Sequence, residues 1–171
     1  MFKLRHGSGP RFADLMDAVS DAAPEVRFRF TSPHPKDFPD SILDVIAAKP
    51  NVCKQVHLPA QSGNTDMLFR MRRNHTRESY LELVDHIRAK IPGVALSSDF
   101  IVGFCDETDA EFDDTITLLE LVKYDLAFLF AYSMRERTHA HRRMQDSVPE
   151  DVKKARLTQM IEVFKRNQLV V

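Results

Sequence analysis

Two histidines and an aspartate lie at or near the ends of predicted strands: His34, His57 and Asp99. Histidine and aspartate at such positions can bind zinc in hydrolases, so a metal hydrolase is one hypothesis. His57, however, falls inside its predicted strand rather than past its end, and no closely spaced second ligand accompanies it. We therefore expect a hydrogen-bonded structural histidine in preference to a metal ligand.

The two cysteines, Cys53 and Cys105, are too far apart for a metal knuckle and too few for a disulfide-rich scaffold. A reducing, intracellular environment is the simplest expectation. The formal net charge of −1 excludes a globally basic nucleic-acid-binding protein, so any basic surface must be local. No apolar run approaches the roughly 18 residues of a membrane span, and we expect no membrane partner.

Arginine is concentrated in two short segments that could bind RNA phosphates. The first contains Arg70, Arg72, Arg73 and Arg77, and the second contains Arg135, Arg137, Arg142 and Arg143 with His139 and His141. A solvated helix surface explains the first segment equally well. The second follows a predicted strand, near the rim of the expected site, and is favoured for RNA contact.

The elements that must position these residues alternate along the chain. Strand periodicity marks residues 26–30, 52–58, 94–102 and 126–132, and helical spacing of apolar residues fills the intervals. Thr108 and Glu111 form a predicted capping box, Pro92-Gly93 ends one helix, and Pro149 begins the last. This order predicts an α/β fold: one helix, then four parallel βα units in a single domain over residues 1–171.

The predicted strands have one polar and one apolar face. The polar side chains are Arg27 and Arg29, then Gln55 and His57, then Ser97 and Asp99. A doubly wound sheet buries both faces and has apolar strands throughout, so a polar interior favours part of a TIM-like barrel. Its active site is expected at the carboxyl ends of the strands, at residues 32–34, 58–63, 99–107 and 133–138. Four strands cannot close a barrel, so we expect open sheet edges that a missing half would cover.

Several strand-end segments together resemble one family. They are Arg29-Phe30-Thr31-Ser32-Pro33-His34-Pro35, His57-Leu58-Pro59-Ala60-Gln61-Ser62-Gly63, and Ser97-Ser98-Asp99-Phe100-Ile101-Val102-Gly103-Phe104 with Cys105-Asp106-Glu107-Thr108. In this order they resemble the radical-SAM methylthiotransferases, which modify tRNA adenosines or a ribosomal protein. The resemblance covers roughly residues 11–166. Ser133-Met134-Arg135 and Cys105 look most similar to the animal mitochondrial branch, also known to bind a cyclin-dependent-kinase activator.

The resemblance implies a partial radical-SAM barrel that binds S-adenosylmethionine and a 4Fe-4S cluster in the parent enzyme, with the tRNA anticodon loop as substrate. Gln61 and Ser62 would reach the methionine or ribose, Ser98 and Asp99 would hydrogen-bond the cofactor, and Phe130 would pack on adenine. Arg135, Arg137, Arg72 and Arg73 would contact RNA. Two alternatives stay open: residues 61–63 as a plain turn with a helix cap, and Asp99 as a buried carboxylate paired with Arg27 or Arg29.

The family's cluster is held by three closely spaced cysteines, which this sequence lacks. The N-terminal methylthiotransferase domain and the C-terminal RNA-binding domain of the family are not expected here either. The resemblance therefore predicts a mitochondrial transferase whose fragment here is inactive alone. The alternative is a non-catalytic protein that binds a kinase activator. Asp106 replaces a family glycine, which matters if that turn needs a positive φ.

Overall fold

The structure is a computed structural model that describes residues 11–31 and 38–169. The helices are α1 Phe12–Ala22, α2 Asp40–Ala48, α3 Thr65–Arg70, α4 Arg77–Lys90, α5 Asp109–Val122, α6 His139–Arg143 and α7 Glu150–Gln168. The strands are β1 Gln55–His57, β2 Ala95–Val102 and β3 Leu126–Ala131. They form one parallel sheet in the order β1-β2-β3, which confirms the α/β fold.

The prediction of four strands is wrong by one. Residues 26–30 contribute only an isolated parallel bridge between Phe28 and Val52, with hydrogen bonds from Phe28 N to Asn51 O (2.8 Å) and from Cys53 N to Phe28 O (2.9 Å). The segment that follows Val52 then turns, because Gln55 N donates a hydrogen bond to Cys53 O at 2.7 Å. A three-residue turn breaks the extended backbone that a ladder requires, so the second predicted strand also shortens to β1.

The apolar faces of the strands bear the core, as their alternation predicts. Val56, Leu96, Phe100 and Val102 are almost completely buried beneath the helices. Burial of each such side chain stabilises the fold by about 1.5–3 kcal/mol. The opposite face of the sheet is therefore free to present polar side chains.

Helix ends confirm most of the predicted signals. Thr108 accepts a hydrogen bond from Glu111 N, and Glu111 accepts one from Thr108 N, so the capping box of α5 is present. Helix α4 ends before Pro92, and α7 begins after Pro149. The short helix α6 was not predicted, because five residues carry too little periodicity to mark a helix.

Among the helices of the described residues, none combines the length and the apolar character needed to cross a membrane.

Candidate functional site

The polar face of the sheet forms a groove of about 460 Å³, here called the sheet groove. Its lining residues are Arg29, Phe30, Thr31, Gln55, His57, Ser97, Asp99, Leu126 and Phe128. The His57 ring lies between two other lining residues, with Nδ1 2.9 Å from Ser97 Oγ and Nε2 3.4 Å from Asp99 Oδ2. Both ring nitrogens therefore have partners, as expected for a hydrogen-bonded histidine. His34, the other candidate, lies outside the described residues.

Asp99 is not the buried partner of an arginine. Its side chain is 29% exposed, and its carboxylate lies 3.4 Å from His57 Nε2. Arg29 lines the same groove, whereas Arg27 is exposed and does not line it. A half-exposed carboxylate on a groove floor remains able to accept a hydrogen bond from a ligand hydroxyl.

Strand β3 adds an aromatic wall to this face. Phe128 pairs in register with Asp99, and Phe130 with Ile101, so both lie on the groove side of the sheet. Phe128 and Phe130 are 46% and 52% exposed, and the Phe128 ring packs edge-on against His57. The sequence interpretation named Phe130 and missed Phe128. Extending the face alternation into the fourth predicted strand would have identified it.

Gln61 lies at the carboxyl end of β1 in a left-handed conformation, with φ 70°. Its backbone joins β2, with Gln61 N donating to Asp99 O (2.8 Å) and Ile101 N donating to Gln61 O (2.9 Å). A non-glycine residue in this region costs about 1–2 kcal/mol, and such strain is concentrated at functional sites. The structure thus brings predicted residues Gln61 and Asp99 together through the backbone.

Ser62 and Gly63 belong to the turn that leads into α3. Ser62 is buried, with Oγ 3.3 Å from Thr115 Oγ1 on α5 and accepting from Asn64 N. The cap of α3 is Asn64, whose side chain accepts a hydrogen bond from Met67 N at 2.9 Å. Ser62 therefore has the role of a turn residue that precedes the cap of α3, and it does not line the sheet groove.

Ser98 lies on the helix-facing side of β2, opposite Asp99. It is completely buried, and its Oγ accepts a hydrogen bond from Ala60 N at 3.0 Å. Behind it, Tyr124 donates to the Tyr80 hydroxyl, which donates to Leu58 O at 2.8 Å. Burial raises the pKa of Tyr80 to about 12. Ser98 therefore supports the segment before Gln61 from behind rather than facing the sheet groove.

The two arginine segments meet in a second concavity, here called the basic groove. Two adjoining cavities of about 210 and 580 Å³ share Arg70, Arg72 and His139. The other lining residues are Phe69, Met71, Arg73, Asn74, Phe104, Tyr132, Arg135, Thr138, Ala140, Arg143 and Met144. Loss of solvation and then the charges of Arg72 and Arg143 lower the pKa of His139, so positive charge is concentrated here.

Two arginines of the first segment have structural roles. Arg70 forms hydrogen bonds of 2.8 and 2.7 Å to the Glu111 carboxylate, and Arg77 donates to Gly63 O and Asp114 O. The basic groove is lined by three of the four arginines that are predicted to contact RNA, Arg72, Arg73 and Arg135. Arg137 is exposed with φ 65° and lines neither cavity.

The turn after β2 does adopt the conformation that favours glycine, since Asp106 has φ 60°. The Ser147 hydroxyl donates a hydrogen bond to the Asp106 carboxylate (2.6 Å) and accepts one from Asp106 N (3.0 Å). Aspartate tolerates this region better than most residues. Burial raises the pKa of neighbouring Glu107, which bonds Gly103 N (2.6 Å) and Arg156 (2.8 Å).

Neither cysteine lines the sheet groove or the basic groove. Cys53 is half-buried and Cys105 is buried, and burial raises the pKa of the Cys105 thiol. Within residues 11–31 and 38–169, no group of three or more His, Cys, Asp or Glu side chains is arranged to hold a metal ion. These two thiols do not fit the three closely spaced ligands of a radical-SAM cluster.

Relatives among known proteins are close in sequence but much longer. The chain is 59% identical over 157 residues to "CDK5RAP1-like protein" of Oryza sativa subsp. japonica, covering 92% of the chain and 26% of that protein. It is 56% identical over 164 residues to the "Mitochondrial tRNA methylthiotransferase CDK5RAP1" of Homo sapiens, covering 96% and 27%. It is 50% identical over 155 residues to the "tRNA-2-methylthio-N(6)-dimethylallyladenosine synthase" of Chlorobaculum tepidum, covering 91% and 35%. The chain thus spans about a quarter to a third of these relatives.

The fold has a solved counterpart. Coproporphyrinogen III oxidase (HemN) from Escherichia coli, a radical SAM enzyme, superposes with a TM-score of 0.63 at 20% identity, covering 78% of this chain and 31% of that one. This likeness supports a partial TIM-barrel-like core and nothing about activity. The family model described as the radical SAM superfamily matches residues 6–119, more than half of the chain. With three parallel strands and a polar concave face of the expected kind, this chain belongs to the radical SAM superfamily.

Proposed function

We propose that this chain is the part of a tRNA methylthiotransferase that lines the S-adenosylmethionine pocket and contacts the RNA. The observation that carries the proposal is identity of 50–59% to the relatives quoted above, two of whose names specify tRNA methylthiolation or a 2-methylthio product. The reaction is 2-methylthio modification of an N6-alkylated adenosine beside the anticodon.

Asp99 and Phe130 are the proposed cofactor contacts on the sheet face, and Gln61, which is only 7% exposed after β1, is proposed to reach the cofactor from the end of that strand. Asp99 would accept hydrogen bonds from the ribose diol, since a half-exposed carboxylate is an acceptor on the groove floor. Phe130, half-exposed on the same face, would pack on adenine. Ser62 and Ser98 are buried behind this face and would hold the pocket backbone rather than touch the cofactor.

S-Adenosylmethionine and a 4Fe-4S cluster would supply the radical chemistry when bound. The cluster ligands are proposed to lie outside residues 1–171, because neither Cys53 nor Cys105 fits the required thiolate triplet. Residues 1–171 would then form a single domain that completes a barrel with further chain.

RNA would contact the basic groove through Arg72, Arg73 and Arg135. Arg137, which is exposed but lines neither cavity, would contact RNA outside the groove. The mitochondrial name of the human relative supports a mitochondrial setting. No observation on the described residues favours the non-catalytic kinase-activator partner, and we do not propose it.

A chimera tests this function. The chain replaces the matching segment of the human relative, the cluster is reconstituted anaerobically, and tRNA from cells lacking the modification is the substrate. Mass spectrometry of digested tRNA should detect the 2-methylthio nucleoside. A folded chimera with an intact cluster spectrum and no methylthiolated product would refute the proposal.

A further inference from the structure

We propose that Phe69 is a base-stacking platform for single-stranded RNA, and that Arg72, Arg73 and Arg143 hold the phosphates beside the stacked base. This inference rests on the proposed function, because it takes RNA as the substrate, and it adds the residue that would grip a base. None of the sequence motifs pointed to Phe69.

Phe69 is an exposed residue on a helix that is anchored to the rest of the fold. Phe69 is 81% exposed, although its neighbours Met67 and Leu68 on α3 are completely buried. Helix α3 is capped by Asn64 and tied to α5 through the paired Arg70. A single exposed phenylalanine needs no explanation, but this one lines a concave, cationic surface. An aromatic side chain has only two rotatable bonds, so it loses little conformational entropy when a base stacks on it.

The cations around the ring have no anionic partner. Within the described part of the chain, Arg72, Arg73 and Arg143 make no ion pair and no side-chain hydrogen bond, and no Asp or Glu lines the basic groove. Arg70 lines the same groove, but its charge is already paired with Glu111. Like charges held together in a groove are complementary to a polyanion.

Arg72 also occupies a costly backbone position. It follows α3 with φ 58°, and Arg73 N donates back to Leu68 O at 2.8 Å, the arrangement in which glycine usually ends a helix. Arginine there costs about 1 kcal/mol relative to glycine. Keeping a charged side chain at this point is consistent with a ligand that uses the charge.

Single-stranded RNA fits the groove better than a duplex. The larger cavity, about 580 Å³, falls within the range of about 300–1,000 Å³ that small-ligand pockets occupy. Unpaired bases offer faces for stacking on aromatic rings and arginine planes, whereas paired bases do not. The groove is built by segments that follow β1 and β3, at the end of the parallel strands where barrel active sites lie.

The test is fluorescence anisotropy of the whole chain with a labelled RNA hairpin whose loop is rich in adenosine. Phe69→Ala should weaken binding roughly 5- to 150-fold, the loss of one stacked base. Phe69→Tyr should bind as the unaltered chain does, because the stacking ring remains. The matched control is Leu121→Ala, which removes another exposed apolar side chain on α5 and should change nothing. Arg73→Gln should reduce the dependence of affinity on salt.

Three results would overturn the inference: hairpin affinity unaffected by Phe69→Ala, Phe69→Tyr as weak as Phe69→Ala, or no hairpin binding at all. These results leave the chimera free to methylthiolate tRNA, so the proposed function would survive them. Conversely, a Phe69-dependent affinity together with an inactive chimera would keep the stacking platform and reject the transferase.

Discussion

Gly63 lies where the turn after β1 meets α5, and the position of a side chain there is already occupied. A Cβ at Gly63 would come within 2.3 Å of Asp114 O and 2.6 Å of Thr115 Cα, both backbone atoms. Gly63→Ala should therefore lower the free energy of unfolding by about 3 kcal/mol or more, since backbone cannot move aside cheaply. Urea denaturation followed by circular dichroism measures this difference.

The matched control for that change is Gly93→Ala. Gly93 has φ 74° but open space around it, so an added methyl group meets only the conformational cost of about 1 kcal/mol. Equal losses at the two positions would show that crowding against α5 is not what fixes glycine at position 63.

For single residues, the sequence predicted which residue types form the site better than it predicted the face of the sheet on which each side chain lies. Alternation along strands correctly placed His57 and Asp99 on one face, because strand geometry leaves only two faces to choose from. Alternation gives no such guide for Ser62, which lies in a turn. The family resemblance implied a cofactor contact for Ser98, although alternation puts Ser98 on the face opposite Asp99, where it is buried. Phe69 was missed because exposure at a helix end leaves no mark on sequence periodicity.

Helix α4 supports the site through the Tyr80 hydroxyl, which satisfies the buried carbonyl of Leu58 three residues before Gln61. Tyr80→Phe should cost about 2 kcal/mol of unfolding free energy, because it removes both the donor to Leu58 O and the acceptor for the Tyr124 hydroxyl. Tyr124→Phe should cost about 1 kcal/mol or less, because Tyr80 still donates to Leu58 O. Urea denaturation of both variants gives the order, and the reverse order would contradict this hydrogen-bond direction.

Helices α3 and α5 are joined by the ion pair of Arg70 and Glu111. Burial acts to raise the pKa of Glu111, but hydrogen bonds from Arg70 and Thr108 outweigh it and hold the pKa below the usual value. Because the folded state binds this proton less tightly than the unfolded state, the stabilisation is present above the ordinary carboxyl pKa. It is lost as the pH falls through the lowered folded-state value.

Glu111→Gln should therefore destabilise the chain at neutral pH, and the gap to the unaltered chain should narrow on acidification through the carboxyl range. Thermal unfolding across that pH range measures the gap. The control is Glu120→Gln, whose carboxylate pairs with Arg166 in a largely exposed ion pair and should matter little. A gap that widens towards acid would contradict the lowered pKa.

Element prediction succeeded where local signals were strong and failed where pairing decided the outcome. Capping and proline signals located α5 and α7 because they act within one helical turn. Residues 26–30 carry strand periodicity, yet a strand also needs an extended partner, and the turn at Cys53–Gln55 removes it. Apolar periodicity indicates which face of a strand is buried, but it does not show whether a neighbouring segment is extended enough to pair with that strand.

The sheet as a whole has an open edge. Within the described residues β3 pairs with β2 alone, and Leu126, Phe128 and Phe130 are 42–52% exposed on its concave face. An uncharged, apolar edge strand is prone to pair with another chain. The isolated chain should associate at rising concentration in sedimentation velocity, and Phe128→Lys should reduce the association.

Leu121→Lys, on the outer surface of α5, is the control for added charge and should leave the association as it is. A chain that stays monomeric at all concentrations, or equal effects of the two lysines, would contradict the role of β3.

The isolated chain is also predicted to bind no iron–sulfur cluster. Anaerobic reconstitution of the isolated chain with iron and sulfide should give no stable 4Fe-4S absorption spectrum, because Cys53 and Cys105 supply too few thiolates. The reconstituted chimera serves as the positive control. A stable cluster on the isolated chain would show that its ligands are present here after all.

We propose that the concave face of the sheet is a wall of the S-adenosylmethionine pocket, and calorimetric titration of the reconstituted chimera with S-adenosylmethionine measures what Asp99 contributes to binding. Asp99→Asn should weaken binding roughly 10- to 150-fold, the value of a hydrogen bond to a charged group. Asp113→Asn, at an exposed position of α5, should leave the affinity unchanged. Unaltered affinity in Asp99→Asn, with the cluster intact, would contradict the account.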